Sequence, residues 1–321
     1  MIRRGLVLAV FAVACVGSDP DTTPAVDGGT PDASTGGDAS TSDVVTVADA
    51  GSDVDANDSG PFDPNYFGHL ELWLKADEGV VLADGGPKVA TWADHSAAAR
   101  TVSVPTTGPC TNGPTVLANG LHNLPLVHFD GSTQCLGVSG EFKDFTNGLT
   151  VFSVFQPENC NSQFTGTSGA LFDSHDNSMF DYRDGLTVGR NPTPANNGSG
   201  DALLTITNGT NSIGQVGITG GASWVPGTAE LLTFHLPPGA STTLVAGTAY
   251  VNGTFKDPNP NDPLIPLLTN GRTTTYVGYR DTTTSYPFYC GGIGEFLVYS
   301  KGLADADRAA VEAHLKTRWG L

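Results

Sequence analysis

The sequence predicts an antiparallel β sandwich or barrel that ends in one α-helix. Two observations point to the β fold. Short apolar or β-branched runs recur along the chain, and Asn-Gly or Asp-Gly turn pairs such as Asn147-Gly148 and Asn252-Gly253 lie between them. The 41 glycines and 21 prolines fit a plan with many turns. Residues 63–321 have a length that one all-β domain can fill.

Each of these runs is short enough to be a single strand of a β domain. In chain order, the predicted strands are His69–Lys75, Val89–Trp92, Pro125–Phe129, Leu149–Phe155, Ala170–Phe172, Leu186–Val188, Leu203–Thr207, Glu230–His235, Gly247–Val251, Thr274–Gly278 and Gly294–Tyr299.

The C-terminal segment Ala304–Arg318 is instead predicted to be an amphipathic helix. It is rich in helix formers, begins with acidic residues and ends with Lys316 and Arg318, a polarity that complements the helix dipole. Gly320 provides a C-terminal stop.

Residues 1–15 are predicted to form a bacterial lipoprotein signal peptide. Arg3 and Arg4 precede a short apolar stretch and small residues, and this stretch is too short to span a bilayer. The cysteine after them, Cys15, matches a lipobox and is the predicted lipidation site, although an alanine stands where leucine is usual. The alternative is an ordinary signal peptide that is cut nearby.

Residues 16–62 are predicted to be a disordered acidic spacer. Ten aspartates but no lysine or arginine lie among Ser, Thr, Gly and Ala, so the segment cannot bury enough apolar surface to offset the entropy of ordering. A calcium-binding tract is the alternative, but the aspartates lack the spacing of a preformed calcium loop. The spacer therefore predicts a tether between an anchor and a domain.

The net charge of −18 argues against polyanionic partners. An acidic domain on an acidic tether does not attract phosphate backbones or anionic head groups, so nucleic acid is not an expected partner.

Without Cys15, the chain keeps four cysteines, an even number that suits two disulfides in an oxidising compartment. Four cysteines allow three pairings. We favour Cys110–Cys135, which closes a local loop, and Cys160–Cys290, which fixes the last strand. A zinc site is disfavoured because no two of these cysteines have C-x₂₋₄-C spacing.

Four segments together resemble the LamG-like jelly-roll domain of the concanavalin A-like lectin/glucanase superfamily. This resemblance implies a two-sheet antiparallel jelly-roll sandwich over residues 63–321. The segments are LELWLKADEGVVL with VATWADHS, NLPLVHFDGSTQCL, LTVFSVFQP and the ending GGIGEFLVYSKGLADADRAAVEAHLKTRWGL.

Two positions bear on that resemblance. Trp73 and Trp92 lie in its strand motifs and are expected in the core. Many relatives carry an acidic pair after the Phe-Asp-Gly turn, but here Gly131 is followed by Ser132, which puts a calcium site there in doubt.

Catalysis is disfavoured by the motifs. Glucanases of this fold use two carboxylates spaced along one strand, and no E-x-D-x-E pattern occurs; Glu295 stands alone in its strand. Asp173-Ser174-His175-Asp176 has the letters of a hydrolase triad, but adjacent residues cannot converge in space as a triad must.

Calcium is the one candidate cofactor. Aspartates cluster in FDSHDNSMFDYRDG, and carboxylate oxygens in a loop are the ligands that calcium prefers; a solvated hairpin is the alternative. The candidate ligands are Asp173, Asp176, Asp181 and Asp184.

A group of aromatic residues near the C-terminus predicts a ligand-binding loop. Sugar C–H faces stack on aromatic rings, and nearby polar groups reach sugar hydroxyls. Packing of these aromatics in the core is the alternative, and Phe288 is expected to be buried. The candidate ligand-binding residues are Tyr279, Arg280, Asp281, Tyr286, Tyr289 and Trp224, the last because its Gly/Ser/Pro surroundings favour exposure.

The function predicted first is non-catalytic binding of a polysaccharide or glycoprotein. The protein would be exported and lipid-anchored through Cys15 to the bacterial outer membrane or cell surface. The alternatives are an adhesive or structural surface module that contacts protein or matrix and, less favoured, a glycan hydrolase, since this fold hosts all three.

Overall fold

The computed structural model describes residues 62–142, 145–160, 169–175, 186–190, 202–207, 213–218, 223–238, 244–257, 265–266, 274–280 and 288–321. The predicted signal peptide and all but the last residue of the predicted spacer therefore lie outside the described residues. The strands are β1 (Leu70–Lys75), β2 (Val80–Leu82), β3 (Val89–Trp92), β4 (Val102–Ser103), β5 (Thr115–Leu121), β6 (Leu124–Asp130), β7 (Leu136–Val138), β8 (Leu149–Pro157), β9 (Ala170–His175), β10 (Leu186–Arg190), β11 (Ala202–Thr207), β12 (Ile213–Gly217), β13 (Glu230–Leu236), β14 (Leu244–Val245), β15 (Thr248–Val251), β16 (Thr254–Lys256), β17 (Ile265–Pro266), β18 (Thr274–Val277) and β19 (Cys290–Tyr299). A 3₁₀ helix spans Pro64–Phe67, and α1 spans Asp305–Trp319.

The strands form two large antiparallel sheets, which confirms the predicted fold class. In the first sheet the order is β16-β15-β13-β8-β19-β6-β5, and β1 pairs with β19 beside β6. In the second sheet the order is β12-β11-β10-β9-β18-β7-β4-β3-β2. The rings of Phe172 in the second sheet and Phe296 in the first stack 5.2 Å apart between the sheets. A separate two-stranded ribbon joins β14 and β17.

Strand β19 is the centre of the first sheet. It pairs along one edge with β8 and along the other with β6 and β1, and all ten of its residues are buried. Strand β8 is buried almost as completely. Strands covered on both faces need apolar residues on both faces, which explains the near-continuous apolar run of each.

Helix α1 covers this sheet by packing against β8 and β13. Asp305 and Asp307 lie in its first turn and Lys316 and Arg318 in its last turn, as predicted. Gly320 ends the helix with a φ of 65°, a left-handed conformation that glycine adopts without strain. The predicted helix is therefore confirmed to within one residue at each end.

The carboxylate of Glu295 joins the helix to the sheet. Trp73 Nε1 donates to Glu295 Oε1 at 2.7 Å, and Trp319 Nε1 donates to Oε2 at 2.9 Å. Arg318 Nε lies 3.3 Å from Oε2, and its guanidinium also binds Asp77. Burial raises the pKa of Glu295, and the indole and guanidinium donors oppose that rise.

Gly294 makes this contact possible. A Cβ at Gly294 would lie 2.7 Å from two ring carbons of Trp319. The strand register also shifts between Ile293 and Glu295, so a bulge at Gly294 reorients the chain where the helix packs. The close approach of the Trp319 ring to the backbone therefore requires glycine here.

Both favoured disulfides are present. Cys110 is bonded to Cys135 and Cys160 to Cys290, with Cα–Cα distances of 5.5 and 6.1 Å. Disulfides of this kind persist in oxidising compartments, which fits an exported protein. In the part of the chain that the structure describes, no helix has the length and apolar character to cross a bilayer.

Candidate functional site

The second sheet has one apolar and one polar face across five neighbouring strands. Paired residues on β18, β9, β10, β11 and β12 point to the same side of a sheet. One paired row is apolar and consists of Val277, Phe172, Val188, Leu204 and Val216; the other row consists of Tyr276, Asp173, Thr187, Thr205 and Gln215. Because Phe172 packs on the first sheet, the polar row lies on the outer face.

A shallow hollow lies on this outer face; it is a surface depression that encloses no space for a water molecule. It lies over β9, β10 and β11, and Arg280 borders it on the side of β18. Its described lining residues are Gly169, Ala170, Thr187, Gly189, Arg190, Leu203, Thr205 and Arg280.

Glycines form part of the lining because the backbone segments meet there at short distance. A Cβ at Gly189 would lie 2.8 Å from the carbonyl oxygen of Gly169, and a Cβ at Gly169 would lie 3.0 Å from the carbonyl oxygen of Phe288. Side chains at these positions would therefore force the backbone segments apart, so glycine is required for their close approach.

The polar row is joined by a hydrogen bond between buried groups. The hydroxyl of Thr187 donates to Asp173 Oδ1 at 2.5 Å, and both residues are at least 90% buried. Since its single proton is directed to Asp173, the oxygen of Thr187 offers lone pairs to a ligand and accepts a donated proton. A hydroxyl group of a ligand could donate a hydrogen bond to this oxygen.

The predicted aromatic loop divides into a packed part and a part that reaches the hollow. Tyr279 is buried, packs with the Cys110–Cys135 disulfide, and lies in ring contact with Phe288 at 4.8 Å. Phe288 is half-buried rather than fully buried. Tyr279 is therefore a packed residue that does not present its ring to a ligand, which corrects its predicted role. Arg280 follows directly and lines the hollow, as the predicted ligand-binding residue that the structure places there.

Tyr289 and Trp224 do not present rings to a ligand, which corrects two of the predictions. Tyr289 is 1% exposed, and its hydroxyl donates to the carbonyl of Gly292 at 3.1 Å. Burial raises the pKa of this phenol. Trp224 is 6% exposed and packs against Phe155 and Tyr289, because tertiary contacts override its flexible sequence surroundings.

Asp281 and Tyr286 lie outside the described residues, as do Asp176, Asp181 and Asp184. Of the four predicted calcium ligands the structure therefore places only Asp173, on β9 with Thr187 bound to it. The calcium site remains a prediction.

Two other acidic groups are engaged in local structure. Asp130 accepts backbone N–H bonds from Ser132, Thr133 and Gln134. Burial tends to raise the pKa of its carboxyl, but the hydrogen bonds from Thr133 and Ser132 outweigh burial and lower the pKa. Its carboxylate therefore closes the Phe-Asp-Gly turn, after which this chain lacks the acidic pair of many LamG-like domains. Glu158 lies with Cys160 and Cys290 in a cluster of metal-ligand type, but these cysteines are joined as a disulfide and offer no thiolate.

The hollow was not predicted as a unit. Thr187 and Arg190 belong to β10, Thr205 to β11 and Arg280 to the chain after β18. The sequence offers the alternation of β10 and β11 as the one signal for outward-facing threonines. No local pattern in the sequence predicts that Arg190 and Arg280 line the same hollow, because the order of strands in the sheet decides which residues border it.

Comparison with known proteins shows similarity in fold. No protein-family model matches the chain, and no curated protein sequence does. The binding domain of Paraclostridial Mosquitocidal Protein 1 is similar at 12% identity and a TM-score of 0.50, over 78% of this chain and 53% of that one. The binding domain of botulinum neurotoxin serotype D/C is similar at 13% identity and a TM-score of 0.51, over 79% and 53%. The chain thus spans about half the length of these structures.

Proposed function

We propose that the protein is an exported, non-catalytic binding protein, and that a sugar residue of a polysaccharide or glycoprotein contacts the surface of the second sheet at the shallow hollow. The observation that carries this proposal is the arrangement of Thr187, Thr205, Leu203 and Arg280 around one concave space. Hydroxyl and guanidinium groups bind sugar hydroxyls, and Leu203 offers apolar contact to a C–H face.

The chemistry of the hollow favours binding over hydrolysis. Retaining and inverting glycosidases need two carboxyl groups on either side of the scissile bond. None of the described residues that line the hollow is a carboxylate, and Asp173 beside it is bonded to Thr187. The similarity to two structures described as binding domains agrees with this proposal at the level of the fold.

The finer assignments from the sequence belong to the same proposal. We infer a LamG-like domain, held by the spacer on a lipid anchor at Cys15. Removal of the thiol in Cys15→Ser should release the protein from the membrane fraction, because acyl chains contribute about 0.8 kcal/mol per buried CH₂. Membrane association that survives Cys15→Ser would contradict the anchor.

The proposed function is tested by retention of the purified full chain on a panel of immobilised neutral and acidic polysaccharides, with calcium and with chelator. Retention on one polysaccharide class is expected. A blocking variant, Thr205→Trp, should abolish it by filling the hollow. The matched control is Thr254→Trp, which places the same ring on exposed β16 of the other sheet.

Three results would have distinct meanings. Retention lost in Thr205→Trp and kept in Thr254→Trp supports the hollow as the site, provided that both variants unfold cooperatively. Equal retention in both variants places binding elsewhere. No retention of the unmodified chain on any polysaccharide contradicts glycan binding and favours the adhesive or structural alternative.

A further inference from the structure

We propose that Cys160, Cys290 and Glu158 form a zinc-binding site when the disulfide between the two cysteines is reduced. The fold brings these residues together although the cysteines are 130 residues apart in the chain, so their spacing in the sequence gives no sign of such a site. None of the three is among the described residues that line the hollow. This group of three, which we call the thiol site, is therefore separate from the proposed function.

The ligand atoms of the thiol site lie close to the spacing that a zinc ion requires. One ligand atom from each of the three residues lies within 4.8 Å of the other two. Zinc with Zn–S bonds of about 2.3 Å and a Zn–O bond of about 2.0–2.2 Å in tetrahedral geometry separates its ligand atoms by roughly 3.5–3.8 Å. Once the disulfide is open, rotation of the side chains can therefore place the three atoms around one ion.

The backbone keeps two of the ligands together without the disulfide. Cys290 begins β19, and the next residue, Gly291, pairs with Pro157 at the end of β8. Glu158 follows Pro157 and donates its backbone N–H to the carbonyl oxygen of Cys290 at 3.0 Å. Because sheet pairing sets these positions, Glu158 and Cys290 stay adjacent when the S–S bond breaks.

His128 positions the carboxylate of Glu158. It lies on β6, where it pairs with Gly292 of β19, and its Nε2 is 3.0 Å from Glu158 Oε2. Since a carboxylate has two oxygens, one can bind zinc while the other keeps its contact with His128. Contacts of this kind orient metal ligands and raise metal affinity. A water molecule would then complete the four zinc ligands.

Reduction converts the disulfide into metal ligands. A dithiol reductant gives up two electrons and two protons and becomes a disulfide, while the Cys160–Cys290 S–S bond breaks and yields two thiols. Zinc displaces both thiol protons, so that two thiolates and one carboxylate, with a total charge of −3, surround a charge of +2. The disulfide and the zinc site therefore exclude each other. Because the cytosol keeps thiols reduced, the zinc form would belong to the chain before export.

The other disulfide provides an internal comparison. Cys110 and Cys135 are both buried and pack with Tyr279, and among the described residues no acidic or histidine side chain joins them in a group of metal ligands. Cys160 is instead half-buried and lies near the exposed Glu158. A dithiol should thus reach Cys160 first, and a third ligand is present beside it.

The test is a metal titration of the full chain carrying Cys15→Ser, which removes the fifth thiol. The chain is reduced with dithiothreitol, separated from the reductant without oxygen, and titrated with Co²⁺, whose bonds to thiolates produce an absorption band. The reduced chain should bind one Co²⁺, and Zn²⁺ should displace it because tetrahedral thiolate sites favour zinc. The oxidised chain should show no band, since it offers no thiolate at this site.

Two single variants assign the roles of the neighbours. His128→Ala should weaken the binding of Co²⁺ by about 10–100-fold, and Glu158→Gln by at least as much. Both variants keep all four cysteines of the domain, so their oxidised forms control for folding. Glu141→Gln, at another exposed glutamate, removes the same charge outside the thiol site and should bind like the parent chain.

Two double variants separate the cysteine pairs. Cys110→Ala with Cys135→Ala keeps the thiol site and should bind Co²⁺ after reduction. Cys160→Ala with Cys290→Ala keeps the other pair and should show no band. Thermal unfolding of both reduced variants, followed by circular dichroism, provides a second readout: zinc should raise the unfolding temperature of the first variant and leave that of the second unchanged.

Each other result overturns the proposal. A reduced chain without a cobalt band, whether folded or not, shows that the thiols and Glu158 do not form a metal site. Equal bands in the two double variants show that any reduced cysteine pair of this chain binds the metal. Undiminished affinity in Glu158→Gln removes the third ligand from the site. Retention on polysaccharides, measured on the oxidised chain, is independent of all three results.

Discussion

The two sheets of this sandwich differ in how they use their outer faces. The first sheet covers its outer face with α1, and Glu295, Trp73 and Trp319 join helix to sheet through buried hydrogen bonds. On its outer face the second sheet carries the hydroxyls of Thr187 and Thr205 and the carboxylate of Asp173 beside a shallow hollow. The first sheet stabilises the fold, and the second holds the groups that we propose to bind a ligand.

Substitutions at the contact between α1 and the first sheet should affect stability, whereas substitutions at the hollow of the second sheet should affect binding. Groups at the helix contact have partners within the protein, so their removal leaves buried donors unsatisfied. At the hollow, the side chain of Thr187 makes one hydrogen bond, to Asp173, so its removal should cost less stability.

The largest effect is expected from the two disulfides, one near each sheet. Cys160–Cys290 closes a separation of 130 residues onto β19, and Cys110–Cys135 closes 25 residues next to Tyr279. On the chain-entropy account, replacing the first pair with alanine should lower the free energy of unfolding by about 5 kcal/mol and replacing the second by about 3.5 kcal/mol. Urea denaturation of the two double variants measures both, and the opposite ranking would contradict loop length as the cause.

Glu295→Leu should lower the free energy of unfolding by about 3–5 kcal/mol, the usual cost of removing one partner of a buried charged group. Two indole N–H groups then lose their acceptor, and Arg318 loses one of its two ion-pair partners. The matched change in the second sheet is Thr187→Val, which removes one hydrogen bond to Asp173 and should cost about 1 kcal/mol. Equal losses in thermal denaturation would erase the distinction between the sheets.

Gly294→Ala should lower the free energy of unfolding by about 1–3 kcal/mol through overpacking against the Trp319 ring. The double variant Gly294→Ala with Trp319→Leu provides the control, because the added methyl then meets no indole. A loss of the same size in the Trp319→Leu background would show that strand geometry, and not the ring, requires glycine.

The smallest effect is a pH dependence that belongs to the first sheet. The pKa of Glu295 is raised above 4.5 in the folded protein. Between the unfolded and folded values the folded state binds more protons, so this group's contribution to stability falls as pH rises through that window. Glu295→Gln should lose this fall, whereas Asp305→Asn, at an exposed side chain, should keep it. The difference in free energy of unfolding between the unmodified chain and Glu295→Gln should change with pH. A difference that is the same at every pH would contradict the raised pKa of Glu295.

Much of the fold could be predicted from sequence because long strands and the helix carry strong periodic signals. All the predicted runs correspond to strands, and α1 begins one residue after Ala304. The other eight strands were missed for identifiable reasons. Several, such as β4 and β14, have two residues, and β5 contains Asn119-Gly120, a pair that predicts a turn.

Less of the site could be predicted, because it depends on strand order and not on local pattern. Arg280 was found from its aromatic neighbours. Arg190 was not predicted, because the pairing of β10 with β9 and β11 is what places it at the border of the hollow. Trp224 shows the opposite error, since glycine and proline around it suggested exposure while Phe155 buries it.

The retention of Thr205→Trp on a polysaccharide that retains the unmodified chain, measured together with its unfolding transition, tests the division between the sheets most directly. We predict that Thr205→Trp loses retention but still unfolds cooperatively, and that Thr254→Trp is retained. Undiminished retention of Thr205→Trp, or a loss of retention that simply follows a loss of stability, would contradict this division.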